Sequence, residues 1–256
     1  MLGNTGDQFE VPNATLAAEQ IAAVEVGLRV RSRGFSGQIA GFHSTVSDFI
    51  DRATVGAAEY ASYGIDANKL GCVKLGDAKC QGVSRRVNLG TAAISGAEIA
   101  LRTPVLAGIH GWLAGSYLLG ESTANNITQP LRRLPPATGA AGLRWTSSDK
   151  GAYFEPWVRA AATQSELNSG DTKDLRICEN PAIPGTALAA GTCRGTPGWA
   201  TANVRAGYRW NAQLAAVRVL RIDVDAGNLL DVRYRLHGSG IDSPGRGVTA
   251  TLTGEW

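Results

Sequence analysis

Four stretches of the chain alternate apolar with polar or small residues at period two, and no other feature limits the fold so severely. In residues 22–31 the even positions Ala22, Val24, Val26, Leu28 and Val30 are apolar, while Glu25, Gly27, Arg29 and Arg31 are charged or small. Residues 86–102 set Val87, Leu89, Ala93, Ala97, Ile99 and Leu101 against Asn88, Gly90, Gly96, Glu98 and Arg102. Residues 200–210 set Ala200, Ala202, Val204, Ala206, Tyr208 and Trp210 against Asn203, Arg205 and Arg209. In residues 246–256, Val248, Ala250, Leu252 and Trp256 oppose Thr249, Thr251, Thr253 and Glu255. Successive side chains of a strand point to opposite sheet faces, so each run carries one apolar and one polar face. Runs this long match the ~9–11 residues of a tilted membrane strand better than the ~5–6 of a soluble sheet. Collecting Arg29, Arg31, Arg205 and Arg209 opposite the apolar side also avoids the ~2–4 kcal/mol that Arg or Lys costs at a lipid-facing mid-bilayer position. The pattern predicts an all-β, antiparallel transmembrane barrel wall. A soluble sandwich with one wet face alternates too, but strand length and the intervening loops favour the barrel.

Weaker strands are expected at 35–50, 108–120, 139–146, 153–166 and 213–225, giving about nine in all. Residues 213–225 break parity, because Arg218 and Arg221 cannot share a face of a regular strand; a bulge or an interfacial position resolves this. Connections alternate in length. Short turns fall at 32–34, 103–107, 148–151 and around Asn211, and long connections at 51–85, 121–138, 167–197 and 227–245. Membrane barrels show this same alternation of short periplasmic turns and long external loops. With the carboxyl end in the periplasm, every long connection lies outside the cell. An odd strand count that opens on a surface loop fits the tail of a larger barrel.

Thirty-two glycines and a single methionine suit turn-rich β structure. No apolar run approaches the ~18 residues of a spanning helix. A net charge of +3 gives no electrostatic case for nucleic acid. The opening residues 1–7 lack the basic, apolar and small-residue regions of an export signal, so the reading is of a portion of a longer protein.

With that layout in view, the connecting motifs resemble the carboxyl-terminal half of a TonB-dependent receptor barrel. Pro12-Asn13 with Leu16 and Glu19, then Glu25 and Gly27, resembles the family's approach to a mid-barrel strand, with Ala18 where proline is usual. Asn88, Ala92, Gly96 and Glu98 resemble a second family strand, and Pro130-Leu131 with Pro135-Pro136 and Gly139 a loop-to-strand passage. Gly195-Thr196-Pro197-Gly198-Trp199, Asn228, Asp231, Tyr234, His237 and Pro244-Gly245-Arg246 resemble the closing sequence. The motifs run in order over nearly all of residues 1–256, read as one domain. The resemblance implies the carboxyl-terminal part of a barrel of about 22 strands around an amino-terminal plug, in the outer membrane of a Gram-negative bacterium. Such receptors import siderophores, haem, cobalamin or glycans with energy relayed by TonB. The expectation is of a chain without the plug, meeting TonB only through one, and contributing wall and external loops. A self-contained small pore or adhesin is the alternative. Nothing in the sequence points to an enzyme or a bound cofactor.

Candidate sites are few. Cys72/Cys80 and Cys178/Cys193 form two local pairs in polar, turn-rich segments without zinc-site spacing, and two loop disulfides are expected. His43, His110 and His237 are isolated in sequence. Asp171, Asp174 and Glu179 form an acidic cluster beside Cys178, a candidate ligand contact without the spaced oxygen ligands of a calcium loop. Trp199, Tyr208, Trp210 and Trp256 near strand ends suit an interfacial aromatic girdle. Leu252 and terminal Trp256 resemble the signal read by the barrel-assembly machinery, where phenylalanine is the usual last residue.

Overall fold

The computed structural model describes residues 3–4, 9–65, 83–189, 191–214 and 217–256. Among them lie twelve strands, of which β1 (Gly3–Asn4), β2 (Phe9–Val11) and β7 (Ile127–Pro130) are short. Nine are long: β3 (Gln20–Ser32), β4 (Phe35–Thr54), β5 (Val83–Leu106), β6 (Ile109–Ala124), β8 (Thr138–Thr146), β9 (Ala152–Ala161), β10 (Trp199–Leu214), β11 (Val217–Gly227) and β12 (Gly247–Glu255). The expected strand at 153–166 ends early, at Ala161, because the next residues leave the sheet to brace a loop. Strand β10 runs past Asn211 to Leu214 and β11 begins at Val217, so 213–225 is not one strand. The β10–β11 register shifts between Asn211 and Leu214, and Arg218 follows directly, in the first residues of β11. Arg221 instead lies on the polar face with Asp223. The register shift and the place of Arg218 at the start of β11 resolve the parity conflict.

The chain forms two compact units. One comprises Met1–Ala22, Ser44–Ala93 and Ser122–Thr128. Its small core gathers Val11, Val55, Ile65 and Val83, with Tyr60 and Tyr63 of a 3₁₀ segment (Ala57–Tyr63) packed against them. Strand β2 pairs parallel to β5, and Glu10 binds Arg86 at 2.8 Å and Arg52 at 3.3 Å. Asn88 ties down the segment before β3: its amide donates to the carbonyls of Ala17 and Asp48 and accepts from the Ala17 N–H. Asn13 donates to the Arg86 carbonyl. Two asparagines of the family-like motifs thus hold one another's segments.

The other unit comprises Ala23–His43, Ile94–Glu121 and Gln129–Trp256. Within it β6, β8, β9, β10, β11 and β12 pair antiparallel in chain order. Directly opposed residues share a face, so the register sorts the side chains. One row reads Trp145, Phe154, Ala206, Val224, Ala250, and another Leu113, Ala141, Val158, Ala202. This face is apolar and uncovered: Phe154 is 48%, Val158 52%, Val248 71% and Leu252 67% exposed. An exposed apolar surface of this extent marks contact with a membrane or another protein. The reverse face carries Glu155, Arg205, Asp225 and Thr249 in one row and Tyr153, Gly207, Asp223 and Thr251 in the next.

Most charges of that polar face along β8–β12 are paired, while Arg159 instead lies 5.4 Å over the Trp199 ring. Arg144 pairs with Glu155 at 2.7 Å, Arg205 with Asp225 at 2.8 Å and Arg221 with Asp223 at 2.6 Å. The Tyr153 hydroxyl donates to Asp223 at 2.6 Å, and the Arg144 guanidinium lies 3.8 Å over the Tyr153 ring. Arg209 and Arg221 stand directly opposite each other, an unfavourable like-charge pair relieved by Glu255 at 3.6 Å from Arg209. Gly142 lies between Trp112 and Trp157, where a Cβ would come within 2.8 Å of both. No lysine lies in a described strand; every strand cation is arginine. Among the described residues, strands β3 and β12 each have a single hydrogen-bonded neighbour, β4 and β11 respectively.

Candidate functional site

The long connections of the second unit meet in a polar cluster at the end of the strands opposite the short turns. Among its described residues the 162–198 connection has no apolar core of its own. It is built from side chains that satisfy backbone groups. Gln164 is buried, donates to the Leu134 carbonyl at 2.6 Å, and exchanges two backbone hydrogen bonds with Thr196. Asn168 donates to the Pro130 carbonyl at 2.9 Å. These contacts join the connection to Pro130 at the end of β7 and to Leu134 before β8.

Asp171 is fully buried and accepts the backbone N–H groups of Arg133 and Asn168 at 3.1–3.2 Å. Asp174, also buried, caps the helical turn Leu175–Cys178 by accepting from the Arg176 N–H. Its carboxylate also binds three guanidiniums: Arg133 and Arg176 at 2.8 Å and Arg132 at 3.3 Å. Charge-assisted bonds of this kind are roughly twice as strong as neutral ones. The hub holds two carboxylates and three arginines, so its balance is positive. Cys178 at the end of the turn is bonded to Cys193, with their Cα atoms 5.5 Å apart.

The 228–246 connection closes over the same hub. His237 Nδ1 lies 2.9 Å from Thr196 Oγ1, and its Nε2 is enclosed without a partner. Burial holds the His237 pKa below the usual histidine value; Asp171 and Asp174 oppose this and Arg133 adds to it. Gly238, at φ +73°, rests on the Arg133 side chain, a left-handed conformation in which a side chain would be strained. Asn228 is buried, with its amide and carbonyl on the Val232 backbone. Asp242 receives Arg233 at 2.6 Å and Arg235 at 2.9 Å, which holds its carboxyl below the usual range. Trp199 lies on the polar parity at the loop end and packs against Tyr234 at 4.2 Å between centroids, so it is not part of a girdle. Trp145, Tyr208, Trp210 and Trp256 instead sit toward the short-turn end, all on the apolar parity.

The structure therefore brings Asp171 and Asp174 together, but with their oxygens committed to the loop framework. Glu179 is exposed and accepts the Gly185 N–H at 3.0 Å. Cys72 and Cys80 lie outside the described residues. Among the described residues no three of His, Cys, Asp and Glu come together as a metal ion would require. His43 bonds Ser95 at 2.8 Å. Sequence reasoning missed Arg132, Arg133, Arg176 and His237 as partners of the acidic cluster. The adjacent arginines of a Pro-bounded loop were the available signal; the Thr196–His237 contact left none.

The family model described as TonB dependent receptor-like, beta-barrel matches residues 2–229. No curated protein matches the sequence. Among solved structures, the copper transporter OprC is similar at 15% identity and TM-score 0.64, over 93% of this chain and 30% of that one. The FrpB iron transporter from Neisseria meningitidis is similar at 14% identity and TM-score 0.62, over 96% and 34%. A ferric enterobactin receptor, PfeA, from Pseudomonas aeruginosa follows at 17% and 0.59, over 94% and 31%. At these identities the likeness is one of fold. The chain spans about a third of the length of these structures.

Proposed function

Since the chain belongs to the TonB dependent receptor-like β-barrel family, we propose that residues 1–256 are the carboxyl-terminal part of an outer-membrane receptor barrel that imports a scarce ligand. The observation that carries this reading is the two-faced wall: an uncovered apolar face on one side and ion-paired arginines on the other. The ligand class is that of siderophores, haem, cobalamin or glycans, with energy from TonB delivered through a plug. The short turns and Trp256 face the periplasm and the long connections face outward. Asp171 and Asp174 hold the external loops in one arrangement, and ligand contact falls on exposed Glu179 and the outward edges of Arg132, Arg133 and Arg176. Trp256, with Leu252, serves as the signal to the barrel-assembly machinery.

Fractionation of the host cell tests the location. The protein should sediment with outer membranes and migrate faster unheated than boiled. Recovery in the soluble fraction would sink the reading. Uptake of labelled ferric siderophore, haem and cobalamin, with and without TonB, then tests transport: one ligand should require both the gene and TonB.

A further inference from the structure

Most arginines of the polar face fall into two groups, Arg159 over the Trp199 ring standing apart. Those of β8–β11 include Arg144, Arg205, Arg209 and Arg221, and each of these four has a carboxylate partner. Arg29 and Arg31 of β3 and Arg102 of β5 have none: among the described residues, none of the three makes an ion pair, and Arg29 only donates to Gln38 at 3.2 Å. Yet these three line one recess of about 440 Å³ with Ser36 and Gln38 of β4 between them. Arg29 and Arg31 are two residues apart on one strand, and β5 lies two strands away. The three side chains are therefore rooted within roughly 10 Å of one another. The recess sits at the short-turn end, remote from the loop cluster. Guanidiniums present rigid forks of donors that match carboxylate and phosphate oxygens in bidentate fashion. Three of them converging without a counter-charge repel one another until an anion enters.

We propose that this recess is a binding site for a small oxyanion carrying two or more charged groups, a polyphosphate or polycarboxylate. Its size and the spread of its donors exceed what a single phosphate would use. The site stands independently of whether the chain forms part of an uptake route.

Inorganic pyrophosphate is the probe, titrated calorimetrically into the full chain in detergent at low ionic strength. Pyrophosphate should bind, and bind more tightly than inorganic phosphate. Arg31→Gln and Arg102→Gln should each weaken binding at least about ten-fold, while Arg205→Gln, at a compensated pair, should leave it unchanged. A second readout does not depend on the ligand: without anion, Arg31→Gln should raise the thermal midpoint at low salt, because it relieves repulsion. No heat up to about 10 mM pyrophosphate, which places any Kd above that concentration, would overturn the proposal. So would equal loss in all three variants, or equal binding of phosphate and pyrophosphate, the mark of an adventitious ion only. Binding of an acidic peptide where pyrophosphate fails would also overturn it.

Discussion

At the scale of single residues, the two aspartates of the loop cluster matter most for what they cannot do. Asp171 has no exposed surface and three backbone hydrogen-bond contacts, so its loss orphans the N–H groups of Arg133 and Asn168. Asp171→Ala should cost the cluster about 2–4 kcal/mol, read as faster amide exchange and proteolysis within 162–198. Glu179→Ala should leave both unchanged. His237 supplies a pH dependence. Its folded pKa is depressed below the unfolded value, so the unfolded state takes up the proton first. The His237 contribution is therefore complete above the unfolded value of about 6.5 and is lost as pH falls through the folded one. Proteolysis of the loops should quicken on acidification below about pH 6.5, and His237→Gln should flatten that response. Protection that does not vary with pH would exclude this role. Deleting Trp256, which is 84% exposed, should lower the heat-modifiable fraction in the outer membrane; full assembly without it would end its assignment as an assembly signal.

At the scale of elements, alternation located the strands because a membrane wall writes its two environments into every second residue. Residues 22–31 and 246–256 were legible within one or two residues of β3 and β12 for that reason. Strand ends were less legible where no change of solvent marks them: β9 stops at Ala161, although Thr163 and Gln164 extend the composition. Of the loop cluster only its acidic members Asp171 and Asp174 were legible, not their partners. Its bonds join Arg133, Asp174 and His237 from three connections, and nothing local to any of them announces the others. The wall itself yields a prediction. Val158 lies mid-strand on the apolar face between Ala141 and Ala202. Val158→Arg should therefore destabilise the bilayer-folded state by about 2–4 kcal/mol, measured by urea titration in vesicles. A cost near zero would mean that this face does not meet lipid.

At the scale of the whole molecule, β3 and β12 each offer one unpaired edge among the described strands. Exposed edges are templates for further pairing, so the chain isolated in detergent should self-associate, as light scattering would show. A strictly monomeric species would mean that those edges are otherwise satisfied. Cation placement has a practical consequence as well. The described strands contain no lysine, so the lysines among the described residues lie in connections. Lys150 lies in the short β8–β9 turn, and Lys173 in the long connection opposite. The molecule thus carries its own topological reporters. An impermeant acylating reagent applied to intact cells should tag Lys173 and spare Lys150, and opening the envelope should expose both.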